Sequence, residues 1–203
     1  MTVVLATGNA DKVREVREIL EPHGIDVLSA AEAGGMPEVV EDRDTFAGNA
    51  AKKAVECARF LGRTVLADDS GLAVDALNGS PGVQSARFAG EHGNHAANIA
   101  KVLSELGDSS ERQARFVCVL AVADATGRVE TVGGEVRGTI ARAPAGSGGF
   151  GYDPIFVPED AAQTFAQLPP AAKHALSHRG NALRNLVDSG VLERFDPARE
   201  GGP

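Results

Sequence analysis

The stretch "ARFVCVLAVADATGRVETVGGEVRGTI", residues 114–140, decides the fold. Apolar residues alternate with a period of two on both sides of the turn "ATG" at 125–127, which predicts a long antiparallel hairpin. Gly133 and Gly134 in its second half predict a bulge or sharp bend. The chain before it has another rhythm. "TVVLA" at 2–6 reads as a buried strand, and Val13, Val16 and Leu20 then recur at helical spacing until Gly24 stops the helix. "IDVLS" from Ile25 reads as a second strand.

A polar loop follows, and Asp44 or Thr45 can cap a helix whose Phe46, Ala50, Ala54, Cys57 and Leu61 line one face up to Gly62. Residues 64–67 read as a third strand. After a loop marked by glycine and proline, Ile99, Val102, Leu103 and Leu106 mark a helix that ends at Gly107. Beyond the hairpin come "PIFV" and a helix near 180–189 with Leu183, Leu186 and Val187 on one face. Helices alternating with strands, plus one long hairpin, predict an α/β fold with a mixed sheet. A single domain over residues 1–195 is expected, with a frayed tail at 196–203.

Of 203 residues, 43% are hydrophobic and 24% charged, enough apolar material for a substantial core. The opening "MTVVLATGNADK" has too short an apolar segment for a membrane span or signal peptide, so a cytoplasmic protein with no membrane role is expected. Cys57 and Cys118 both sit in apolar patterns and read as buried thiols. A net charge of −8 repels polyanions and argues against nucleic acid as a partner. A small phosphorylated ligand needs only two or three well-placed cations.

Ligands of open α/β sheets gather at the carboxyl ends of strands, where "TGNADK" (7–12) and "ADDSG" (67–71) fall. In the first, Gly8 permits a tight turn, Asn9 can cap the helix, and the backbone N–H groups of the helix start can cradle phosphate. Lys12 in the first turn opposes the helix dipole unless an anion shares the site; its alternative is a solvated surface residue. In the second, Asp68 and Asp69 point to opposite sides if strand geometry persists, so one enters the site while the other serves structure. Two turn-forming acids are the plainer alternative.

Glu41 in the preceding loop and Lys53 on the following helix shift the balance. Carboxylates, lysines and a phosphate cradle together suit metal-assisted attack on a polyphosphate, and Mg²⁺ prefers one or two carboxylates plus phosphate oxygens. "GSGGFGYDPIF" (146–156) formally fits G-x-G-x-x-G but lacks the flanking strand and helix of a dinucleotide site. It reads instead as a glycine segment offering Phe150 and Tyr152 as stacking faces and Asp153 as a carboxylate, with burial of both rings as the alternative. "KHALSHRGNAL" (173–183) gathers Lys173, Ser177, His178 and Arg179 before a helix. Such donors suit the O6 and N7 acceptors of a 6-keto purine; a solvated basic face is the alternative. His92, His95 and His174 have no partners at metal-ligand spacing, and no G-x-S-x-G elbow is present.

With "TGNADK", "TFAGNAAKKA", "LADDSGLAVDALNGSPGVQSAR", "ARFVCVLA", "GGFGYDPIF" and "LSHRGNAL" in this order, the chain resembles the XTP/dITP pyrophosphatase family, which includes inosine triphosphate pyrophosphatase. The resemblance implies an enzyme that hydrolyses XTP, ITP and dITP to the monophosphate and pyrophosphate, keeping deaminated purines out of nucleic acid. It implies Mg²⁺ dependence, an elongated two-lobed fold with a central nucleotide cleft, and a homodimer. By the same resemblance Thr7, Gly8, Asn9, Ala10, Asp11, Lys12 and Lys53 bind the triphosphate, and Glu41 and Asp69 hold the metal. Asp69 is also the general base, Ser70 contacts substrate, and Phe150, Gly151, Tyr152, Asp153, Lys173, His178 and Arg179 hold and read the base.

The chain departs from the family's pattern at Gly48 and Gln167, where acids are usual, and at "EDRDTF" (41–46), where Asp42 or Asp44 could share or replace Glu41 as a ligand. Rival expectations are a pyrophosphatase for another modified nucleotide, a non-catalytic nucleotide sensor, and a nucleic-acid-binding module.

Overall fold

A computed structural model describes residues 1–196, so all but the first residue of the expected tail at 196–203 lies outside the described residues. Six strands form one mixed sheet: β1 (Thr2–Leu5), β2 (Asp26–Ser29), β3 (Val65–Val74), β4 (Gln113–Ala123), β5 (Val129–Ile140) and β6 (Phe156–Pro158). Their spatial order is β2-β1-β3-β4-β5-β6. β1 runs parallel to β2 and to β3, with Val4 opposite both Leu28 and Val65, whereas β6 is antiparallel to β5. Among the described residues six α-helices accompany the sheet: α1 (Ala10–Leu20), α2 (Phe46–Leu61), α3 (His95–Leu106), α4 (Pro170–Leu176), α5 (His178–Asp188) and α6 (Val191–Arg194).

Two compact units divide the chain. The first holds residues 1–69, 118–134 and 182 onward; the second holds 70–117 and 135–181. In the first unit the sheet carries a core on each face, and strand parity assigns the residues. Val3, Leu5, Leu66, Cys118 and Leu120 join α1 and α5 through Val16, Leu20, Leu183 and Leu186. Their neighbours Val4, Val65, Ala67, Ala121 and Ala123 join α2 through Ala50, Ala54, Cys57 and Ala58. Alanines on the α2 stripe let that helix lie close to the strands. In the second unit Phe116, Phe156 and Phe165 cluster with ring centroids 4.7–6.1 Å apart, surrounded by Leu72, Val74, Val102, Ile140 and Ile155.

Local signals behave as their chemistry dictates. The Asn9 side chain caps α1, and the Thr45 hydroxyl, not Asp44, caps α2 by accepting from Gly48 N–H. Gly62, at φ 64°, ends α2 in the left-handed conformation that glycine adopts without strain.

Three features differ from the sequence reading. β3 does not stop at residue 67 but continues through Asp68 and Asp69 to Val74, because both carboxylates find partners inside the fold. The alternation of exposure along β5 passes through Gly133 and Gly134 unbroken, which a one-residue bulge would have inverted. The last helical region is three helices, with α4 before the expected one and the short α6 after it.

Candidate active site

In the first unit the candidate side chains come from α1, α2, β3 and the loop before α2. Leu66 faces α1 while Val65 and Ala67 face α2, so alternation sends Asp68 toward α1 and Asp69 toward α2. Asp68, 1% exposed, pairs with Lys12 Nζ at 2.9 Å. Asp69, 8% exposed, accepts a hydrogen bond from Asn49 Nδ2 at 3.1 Å. Lys53 lies one turn beyond Asn49 on α2 and donates to Glu41 Oε1 at 2.5 Å. Glu41 is close enough to Asp69 for its charge to act on it.

The electrostatics follow from this crowding. Burial raises the Asp69 carboxyl from its ordinary 3.8 to about 6, with the negative charge of Glu41 adding to the shift and the Asn49 hydrogen bond and Lys53 charge opposing it. Burial alone would lower the Lys53 ammonium, but Asp68, Glu41 and Asp69 together hold it above the usual lysine value. The result is a lysine that stays charged beside a carboxylate poised near neutrality.

A buried and a half-buried carboxylate close enough to feel each other's charge suit a hard divalent cation, with the remaining positions left to water and phosphate. Among the described residues no group of three or more Asp, Glu, His or Cys side chains forms a self-sufficient metal cage. Asp42, an expected substitute ligand, is exposed and held by Lys52 at 2.9 Å, and Asp44 is exposed.

At the start of α1, three amides expected to cradle phosphate are already engaged. Thr7 Oγ1 accepts from Asn9 N–H at 3.1 Å, and Asn9 Oδ1 accepts from Asp11 and Lys12 N–H at 2.9 and 3.3 Å. Gly8 is exposed and is not among the residues with positive φ, so its turn does not use glycine's left-handed freedom.

In the second unit, Asp153 is buried and accepts from Phe150 N–H at 2.9 Å while pairing with Lys173 Nζ at 2.8 Å. Lys173 Nζ stands 5.0 Å from the centroid of the half-buried Phe150 ring, and Arg179 Cζ stands 5.6 Å from it. Arg179 also donates through Nη2 to Ser70 Oγ at 3.1 Å. The His178 ring stacks on Phe116, with centroids 4.7 Å apart and planes 11° from parallel. Ser177 Oγ accepts from Gly180 N–H at 3.0 Å and so fixes the start of α5, where His178 and Arg179 sit. Tyr152 does not offer a stacking face: it is 4% exposed within the core, and its hydroxyl donates to Ser85 O at 2.8 Å. Gly151, at φ 64°, turns the chain between the half-buried Phe150 and this core tyrosine.

A profile of the Ham1 family matches residues 3–189 of the chain. The chain belongs to the Ham1 family. The dITP/XTP pyrophosphatase of Desulforamulus reducens is 51% identical over 197 residues, covering 96% of this chain and 97% of that protein. The dITP/XTP pyrophosphatase of Bacillus subtilis is 49% identical, covering 90% and 93%. Among solved structures, the Ham1 protein of Staphylococcus aureus superimposes with a TM-score of 0.84 at 39% identity, covering 96% of this chain and all of that one. A HAM1 protein from Coxiella burnetii gives 0.85 at 41% identity, covering 96% and 99%.

Within this Ham1 chain, sequence reasoning had left Asn49 without a role. Asn49 is 1% exposed, and its Oδ1 accepts from Arg43 N–H at 2.9 Å while its Nδ2 serves Asp69, so it ties the loop bearing Glu41 to the strand bearing Asp69. A signal existed: Asn49 and Lys53 are four apart, a polar pair on one side of an alanine-rich helix.

Proposed function

We propose that this enzyme hydrolyses deaminated purine nucleoside triphosphates, XTP, ITP and dITP, to the monophosphate and pyrophosphate. The observation that carries the mechanism is the grouping of buried Asp69 and Asn49 with half-buried Glu41 and Lys53 in one cluster. Family membership and the dITP/XTP pyrophosphatase activity for which the relatives are named support the substrate class.

Glu41 and Asp69 fit Mg²⁺, which when bound would neutralise phosphate oxygens and favour deprotonation of a nearby water. Asp69, with its carboxyl raised to about 6, serves as the general base that takes a proton from that water. The water oxygen bonds to the α-phosphorus as the bond to the bridging oxygen breaks, and the electron pair leaves with pyrophosphate. Lys53 and Lys12 offset the charge that gathers on this leaving group, shifting from Glu41 and Asp68 toward the phosphates. Thr7 to Asp11 line the phosphate end, through groups other than the three amides already engaged by Thr7 and Asn9.

Base selection belongs to the second unit. The Phe150 ring stacks on the purine, and His178, Arg179 and Lys173 present donors to O6 and N7 of a keto purine. Adenine places an N6 donor where O6 would be, so the same groups meet it with like polarity. Ser70 and Asp153 contribute by holding Arg179 and Lys173. The protein is further proposed to act as a cytoplasmic homodimer, which sedimentation at micromolar concentration checks.

Product analysis tests the reading. Inosine triphosphate with Mg²⁺ should give inosine monophosphate and pyrophosphate, with turnover lost on chelation. Release of inosine diphosphate and phosphate would overturn it.

A further inference from the structure

The glycine segment that presents Phe150 is held from within by Asp153, which accepts from Phe150 N–H, and from outside by a second set of contacts. It lies on a short turn, residues 164–167, that no part of the mechanism uses. Thr164, 2% exposed, donates its hydroxyl to Ala145 O at 2.7 Å. Gln167 Oε1 reaches back to accept from Thr164 N–H at 3.0 Å, which closes the turn on itself as a capping box. Gly148 N–H donates to Ala166 O at 2.9 Å. A Cβ on Gly146 would stand 2.5 Å from Ala166 O, and one on Gly148 3.0 Å from the same atom, so both glycines mark a close approach of backbone to backbone. The turn is itself anchored: Phe165 is 1% exposed and packs 5.3 Å from Phe156 and 6.1 Å from Phe116, centroid to centroid.

We infer that the Thr164–Gln167 turn is a positioning element for base recognition, setting the placement of Phe150 through its contacts with Ala145 and Gly148. This rests on the reading that Phe150 holds the purine. The turn touches no reacting atom, so it governs how well the base is gripped and not how fast the phosphate bond breaks. It also accounts for glutamine at position 167, since the capping role needs only a side-chain acceptor, which an amide oxygen supplies as well as a carboxylate does.

The test compares Thr164→Val, which keeps shape and removes the hydroxyl, with Thr164→Ser, which restores it. Gln167→Met, at an exposed position that leaves the core intact, is a second route to loosening the turn. For inosine triphosphate, Thr164→Val and Gln167→Met should raise KM about tenfold, the scale of one lost buried hydrogen bond. kcat should stay within about twofold, and Thr164→Ser should stay near wild type. Inhibition by inorganic tripolyphosphate, which has no base, should be unchanged in all three. Equal weakening of tripolyphosphate would overturn the inference in favour of general loosening. An unchanged KM in both Thr164→Val and Gln167→Met, while Phe150→Ala raises it, would overturn the inference alone. An unchanged KM in Phe150→Ala itself would show instead that the base-pocket reading fails.

Discussion

Asp69 is where burial and chemistry pull in opposite directions. Its carboxyl titrates near 6 in the fold and near 3.8 when unfolded, so the folded state binds the proton more tightly. The site is without penalty below about pH 4, ionised Asp69 destabilises the fold increasingly as pH rises from about 4 to about 6, and the penalty is constant above that. At about 1.4 kcal/mol per pKa unit, the penalty is bounded at roughly 3 kcal/mol. Asp69→Asn should therefore raise the melting temperature in metal-free buffer at pH 8 and leave it little changed at pH 4, as calorimetry can check. The same substitution should lower kcat on the order of 10²-fold with Mg²⁺ present, because the proposed proton acceptor is gone. A variant that is both more stable and nearly inactive marks a residue kept for function. Arg179 carries the second prediction at this scale: Arg179→Ala should shrink the ratio of kcat/KM for inosine over adenosine triphosphate, measured by direct competition, as the donor proposed to face O6 is removed.

At the scale of elements, α2 carries Asn49 and Lys53, and its start depends on one hydroxyl. Thr45→Ala should cost about 1 kcal/mol of unfolding free energy in urea, the usual value of such a cap. Gly138→Ala should cost more, since an added Cβ would collide with Val157 O and the Phe156 ring where β5 meets β6. Signals of this local kind were legible in the sequence. Asn9, Thr45 and Gly62 act through atoms within four residues of themselves, so the chain spells them out. The length of β3 was not legible, because it depends on Lys12 and Asn49, which are 56 and 20 residues from the aspartates they serve. Two adjacent acids before Ser-Gly look like a turn until those partners are known. Phe150 and Tyr152 show the same limit: they are two apart in a glycine-rich segment, and only the fold decides that Tyr152 is the core residue.

Over the whole molecule, three strands contribute residues to both units: β3, β4 and β5 each cross a boundary, at residues 69–70, 117–118 and 134–135. Interrupting either unit therefore breaks strands of the other, and the protein should unfold in one step. A probe for this is built in. Tyr152 is the one tyrosine of a chain without tryptophan, and it lies in the second unit's core. Its near-ultraviolet signal and the far-ultraviolet helix signal, to which α1 and α2 contribute from the first unit, should give superimposable urea transitions. Separate midpoints would mean that the units melt independently. The order of elements along the chain was readable because periodicity is a property of sequence. That the chain passes between units four times was not, since no local pattern marks those junctions.

Parity along β3 has an engineering consequence. Inserting or deleting a single amino acid between Val65 and Ala67 would exchange the surroundings of Asp68 and Asp69, delivering each to the helix that serves the other. Changes of two would keep the assignment. In a library of length variants across this segment, survivors should therefore be even-numbered.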